Sequence, residues 1–181
     1  DVEWTAWEGS RQRDWRGPGE EKEIVQIGAL KLRADTLAET DALDVLVRPR
    51  INPALSDYFI RLTGITQAEL DAAGVDFADG LESLKAFVGE GVRAVYSMGT
   101  DYTIIRHNCA LAGLSFPFDE GLFVNLREDL ARTVGDEIAG TDSSDLPAAM
   151  GFAAPGAAHQ GVHDCRCIAE TMRILRTQGD F

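Results

Sequence analysis

Asp1-Val2-Glu3 sets two carboxylates at i and i+2 of a segment that reads as a strand, and the period of two turns both toward one face. Like charges side by side on a sheet face repel unless a cation lies between them. Asp101 follows Ser97-Met98-Gly99-Thr100, where a strand gives way to a helix. An Asp there either caps helix amides or joins the groups that gather at strand ends. Asp164 shares a helical stripe with Ile168 and Met172, so its carboxylate faces the core, which costs free energy unless it is paired or metal-bound. His159 stands five residues earlier, in the Gly-containing approach to that helix, and an imidazole can pass a proton near neutral pH. Carboxylate oxygens suit hard divalent cations, and His159 can lean over the same place as Asp164.

The elements that must position these groups follow from periodicity. Glu23 to Leu32 alternates and is rich in β-branched residues, and Ala42 to Val47 reads as another strand, stopped by Arg48-Pro49. With the strand at Asp1, which is expected to begin upstream, these make an antiparallel set of three. Glu8 to Glu21 carries Gly9, Gly17, Pro18 and Gly19 among charges and reads as an exposed loop. Leu55, Phe59 and Leu62 have helical spacing, closed by Thr63-Gly64, and Thr66-Gln67-Ala68-Glu69 is a capping box. Then strand and helix alternate. Phe77 to Val88 is helical, Arg93 to Ser97 a strand, Ile104 to Leu111 a helix, Leu122 to Leu126 a strand, Leu130 a further helix, and His163 to Arg176 the last helix. That order predicts an α/β fold with one mixed five-stranded sheet, antiparallel at one end and parallel at the other, flanked by helices.

The 181 residues suit one domain over 1–181. With 45% hydrophobic and 26% charged residues, the chain is neither a disordered tail nor a disulfide scaffold. The net charge of −13, from 17 basic and 30 acidic residues, excludes a uniformly basic nucleic-acid coat. It leaves room for a nucleic-acid enzyme whose bound cations make a local positive site. Three cysteines cannot all pair, and no secretory signal or 20-residue apolar span appears, so a reducing cytoplasm is expected.

These motifs in this order resemble the DEDDh group of DnaQ-like 3′→5′ exonucleases: Asp-x-Glu on a first strand, Asp after a middle strand, and His-x-x-x-x-Asp entering the last helix. Arg48-Pro49, Asn52-Pro53-Ala54-Leu55-Ser56-Asp57-Tyr58, Leu62-Thr63-Gly64-Ile65-Thr66-Gln67 and His159-Gln160-Gly161-Val162-His163-Asp164 are similar to the RNase T-like branch that includes the histone-mRNA 3′ exonuclease. Cys167 departs from the Asn often found there. The resemblance covers nearly the whole chain. It implies an RNase H-like fold and metal-dependent release of 5′-mononucleotides from single-stranded 3′ ends, with RNA favoured over DNA. It also implies two Mg²⁺ or Mn²⁺ ions. Asp1 would bridge them, Glu3 and Asp164 would bind the nucleophile-side ion, Asp101 would hold the second shell through water, and His159 would take the water's proton.

Trp4 and Trp7 could stack on terminal bases, with Thr5 and Met98 as the other expected substrate contacts. Arg11, Arg13, Trp15 and Arg16 form a basic and aromatic cluster that either contacts substrate or is a solvated loop. His107 reads as structural. Three rival functions compete. A zinc site from His159, His163, Cys165 and Cys167 fails because Cys-x-Cys on a helix points its thiols about 200° apart. A non-catalytic nucleic-acid-binding module with a decayed site is opposed by all five positions being filled. An endonuclease of the related ribonuclease H fold is opposed by His159 at its spacing.

Overall fold

The computed structural model describes residues 1–99, 101–153 and 161–178. Strand β1 (Val2–Trp4) pairs antiparallel with β2 (Ile24–Leu32), and β2 with β3 (Glu39–Leu46). The register places Glu3 opposite Gln26, and Gly28 opposite Asp44. Because side chains alternate, Asp1, Glu3, Gln26, Gly28 and Asp44 share one face, while Val2, Ile27 and Val45 share the other.

The apolar face is covered by α3 (Phe77–Val88) and α4 (Asp101–Leu111), whose Phe77, Leu81, Leu84, Ile104 and Ile105 pack with Val2 and Ile27. The polar face carries α8 (Gly161–Gln178), which buries Cys167, Ile168, Met172 and Leu175 against α5 (Leu126–Thr133) and α7 (Leu146–Met150). The short helices α1 (Asp57–Thr63) and α2 (Gln67–Ala73) enclose a third cluster around Phe59 and Leu70. α1 is capped by Ser56 and closed by Gly64 at φ 75°, a left-handed position that favours glycine. The expected capping box is present, with Thr66 and Glu69 satisfying each other's backbone amides.

One expectation needs correction. Among the described residues the strands form a three-stranded antiparallel sheet and a separate parallel pair, β4 (Val95–Ser97) with β5 (Phe123–Asn125), rather than one sheet of five. β1 and β4 have three residues each, and a cavity of about 630 Å³ lined by Val2, Ile27, Leu30, Val95 and Ile105 separates them. With so few backbone groups and that gap, no ladder joins the sheets among the described residues. The stretch after α5, to which the sequence periodicity assigns no element, contains short helical pieces. It forms α6 (Asp136–Ala139), a 3-10 turn (Ser143–Asp145) and α7. Elements of three to five residues are too short for a periodicity to register.

Candidate active site

Three elements deliver the carboxylates. β1 presents Asp1 and Glu3 on the face toward α8. The first turn of α8 supplies Asp164, 3% exposed. The helix lies low enough because β2 and α8 meet at glycines: the Gly161 amide donates to the buried Gln26 Oε1 at 2.9 Å, and the Gln26 Nε2 donates to Asp44 Oδ1 at 2.7 Å. Carboxylate oxygens of Asp1, Glu3 and Asp164 lie within 4.8 Å of one another.

Asp101 begins α4 immediately beyond the β4 strand end. The turn that redirects the chain has Gly99 at φ 120°, a region side chains avoid. Asn125 holds this turn by accepting from the amides of Gly99 and Arg127. Asp101 is buried, its pKa is raised chiefly by desolvation, and Ser97 hydrogen-bonds it. Its Oδ2 is buried with no hydrogen-bond partner among the described residues. Asp101 stands outside the close trio, but its charge reaches Glu3. Burial first, then the charges of Asp164 and Asp101, push the Glu3 carboxyl up to about 8. A site that is anionic, desolvated and partly orphaned of donors fits divalent cations, whose charge would reverse that shift.

His159 lies outside the described residues. Trp4 packs on the core cluster, 5.9 Å from the Trp15 ring. Trp15 Nε1 donates to the Thr5 carbonyl, and Lys22 Nζ sits 4.6 Å over the Trp15 ring. The buried Thr5 hydroxyl donates to the Glu21 carbonyl and accepts from the Glu23 amide. Trp7 is half-buried beside the loop, its amide on Ser10 Oγ, and Met98 is buried against α5 and α8. The loop's arginines are paired: Arg11 with Asp142, Arg13 with Glu20, Arg16 with Asp14. His107 pairs with Glu21 at 2.7 Å.

Sequence reasoning missed the segment following α6. Ser143 Oγ donates to Asp1 Oδ1 at 3.3 Å, and Asp142 adds to the field on Glu3. Arg127 ties that segment to α5 by donating to the Ala139 and Thr141 carbonyls. No sequence pattern marks these residues. Gln26 did carry a signal, as a lone polar residue in the run Ile24-Val25-Gln26-Ile27. The thiols diverge as helical geometry requires: Cys165 donates to the Gly28 carbonyl, whereas Cys167 points inward, where burial pushes its thiol up to about 12.

A family model described as Exonuclease (RNase_T) matches residues 1–172. The human protein named 3'-5' exoribonuclease 1 is 28% identical over 163 residues, which are 85% of this chain and 46% of that protein. A 3'-5' exonuclease of Schizosaccharomyces pombe is 39% identical over 88 residues, 49% of this chain and 27% of that protein. The chain thus spans about half the length, or less, of the curated relatives it matches. The solved nuclease domain of 3'hExo, a DEDDh family member bound to rAMP, superposes with a TM-score of 0.81 at 25% identity, covering 99% of this chain and 90% of that one. The full-length 3'-exonuclease superposes with a TM-score of 0.83 at 25% identity, covering 99% and 80%.

Proposed function

This chain belongs to the exonuclease (RNase_T) family, and from that premise we propose that it hydrolyses phosphodiester bonds at single-stranded 3′ ends, releasing 5′-mononucleotides, with RNA preferred to DNA. The observation that carries this reading is the convergence of Asp1, Glu3 and Asp164 within 4.8 Å, with the buried Asp101 beside them. The RNA preference is supported by relatives whose names say exoribonuclease and by a neighbour bound to rAMP.

Asp1, Glu3 and Asp164 would hold one divalent cation, Mg²⁺ or Mn²⁺, and Asp1 with Asp101 a second. Such a pair, when bound, acidifies the attacking water and offsets charge on the reacting phosphate. The remaining work falls to side chains. His159 accepts a proton from the water as its oxygen bonds to phosphorus. The bond from phosphorus to the penultimate O3′ breaks, and that oxygen is protonated on the shortened strand. Ser143 steadies Asp1, and Ser97 steadies Asp101. Trp7 would offer a stacking surface for a terminal base, with Trp4, Thr5 and Met98 as the other proposed substrate contacts. We place these roles in one domain over 1–181, most of which the family match takes in. Three free thiols suit a reducing cytoplasm, and among the described residues no helix is long and apolar enough to cross a membrane.

Matched labelled RNA and DNA oligomers with free or blocked 3′ ends test the reading. Stepwise shortening from free 3′ ends, requiring Mg²⁺ or Mn²⁺ and faster on RNA, is expected. Full activity in excess chelator, or cleavage of 3′-blocked strands at internal sites, would overturn it.

A further inference from the structure

A second group of side chains of metal-ligating type lies on α8, sharing one residue with the first. His163, Asp164 and Cys167 are all buried, and their ring nitrogen, carboxylate oxygen and sulfur lie within 4.8 Å of one another. We propose that these three form a separate site for a borderline-soft dication such as Zn²⁺, and that its occupation withdraws Asp164 from the carboxylate trio. The withdrawal rests on the exonuclease reading; the site itself does not.

Two of the three ligand-to-ligand edges come close to those of tetrahedral coordination, and the third, from Asp164 oxygen to Cys167 sulfur, is within 4.8 Å. His163 Nε2 stands 3.5 Å from Cys167 Sγ and 3.8 Å from Asp164 Oδ1. Ordinary zinc bond lengths give ligand-to-ligand edges of about 3.6 Å for nitrogen to sulfur and about 3.3 Å for nitrogen to oxygen. The first edge is already met, and the second needs the carboxylate to move by about half an ångström. His163 and Cys167 are one helical turn apart, so their side chains stack on the same face without backbone change.

Charge and softness agree. A thiolate and a carboxylate cancel the dication, which leaves a neutral buried centre rather than an uncompensated ion. Imidazole and thiolate favour Zn²⁺, whereas Mg²⁺ favours oxygen, so the two sites select different ions. Binding displaces the Cys167 thiol proton to solvent. Water would fill the fourth position. Cys165 takes no part, since its sulfur is turned to the Gly28 carbonyl. Asp164 belongs to both groups, and that sharing is the source of the competition.

Titrating the chain with Co²⁺, a spectroscopic stand-in for Zn²⁺, tests the site without an activity assay. One equivalent should raise a thiolate-to-cobalt absorption that Zn²⁺ abolishes by displacement, whereas excess Mg²⁺, competing only through the shared Asp164, should shift the titration to higher Co²⁺ without removing the band. Cys167→Ser should lose the band and Cys165→Ser keep it; Cys167→Ala serves if the serine variant does not fold. No thiolate band in the unmodified chain, or a band that survives in the Cys167 variants, would overturn the site. With Mg²⁺ saturating, Cys167→Ser should need at least about tenfold more Zn²⁺ for half-inhibition, and equal sensitivity would overturn the competition. Should the chain prove inactive with Mg²⁺, the exonuclease reading fails while the cobalt band still decides the metal site.

Discussion

Gly28 and Gly161 meet backbone to backbone: a Cβ on Gly28 would lie 2.2 Å from the Gly161 carbonyl carbon. That contact seats the first turn of α8 against β2 and so brings Asp164 to Asp1 and Glu3. Gly28→Ala must push the helix away. We expect about 1–3 kcal/mol of lost stability from overpacking and a larger fractional loss of Mg²⁺-dependent activity, measured by thermal unfolding and nuclease assay. Wild-type activity would show that the helix position is not what assembles the site.

Glu3 ties stability to pH. Its carboxyl is raised to about 8 from 4.5, so across that interval the unfolded chain releases the proton while the folded chain keeps it. Stability should therefore fall as pH rises from about 4.5 to 8, and Mg²⁺ should recover it at the upper end. Unfolding midpoints at several pH values, with and without Mg²⁺, check the sign. Glu3→Gln should flatten the dependence.

Asp101→Asn removes a buried carboxylate whose Oδ2 has no hydrogen-bond partner among the described residues. Activity should drop by at least about 10²-fold, while the unfolding temperature stays level or rises. A folded variant with full activity would remove Asp101 from the machinery.

Trp4 and Trp7 should separate. Trp4→Ala vacates a place against the core and beside Trp15, which should cost about 3 kcal/mol. Trp7→Ala should leave stability nearly unchanged and raise KM by roughly 5- to 150-fold, the worth of one stacked base. A KM unaffected by Trp7→Ala would place the terminal base elsewhere.

Salt should matter little. Arg11, Arg13 and Arg16 already pair with carboxylates, and the net charge is −13, so few phosphates can be neutralised. Rates on single strands should vary weakly with ionic strength and exceed those on blunt duplex. A steep salt slope with equal duplex cleavage would contradict this.

What was legible in the sequence had a local cause. The i, i+2 carboxylates at Asp1 and Glu3, the capping box at Thr66 and the buried stripe of Asp164, Ile168 and Met172 each follow from one element's periodicity, and each stands in the structure as read. The order of strands and helices was legible for the same reason. Long-range contacts decided the rest. Sheet closure depends on whether β1 and β4 approach, Ser143 reaches Asp1 across 142 residues, and Gln26 holds the start of α8 across 135. The divergence of Cys165 from Cys167 could be foreseen from helix geometry. That Cys167 would meet His163 and Asp164 in the core could not, because side-chain convergence is a property of packed elements and leaves no period in the chain.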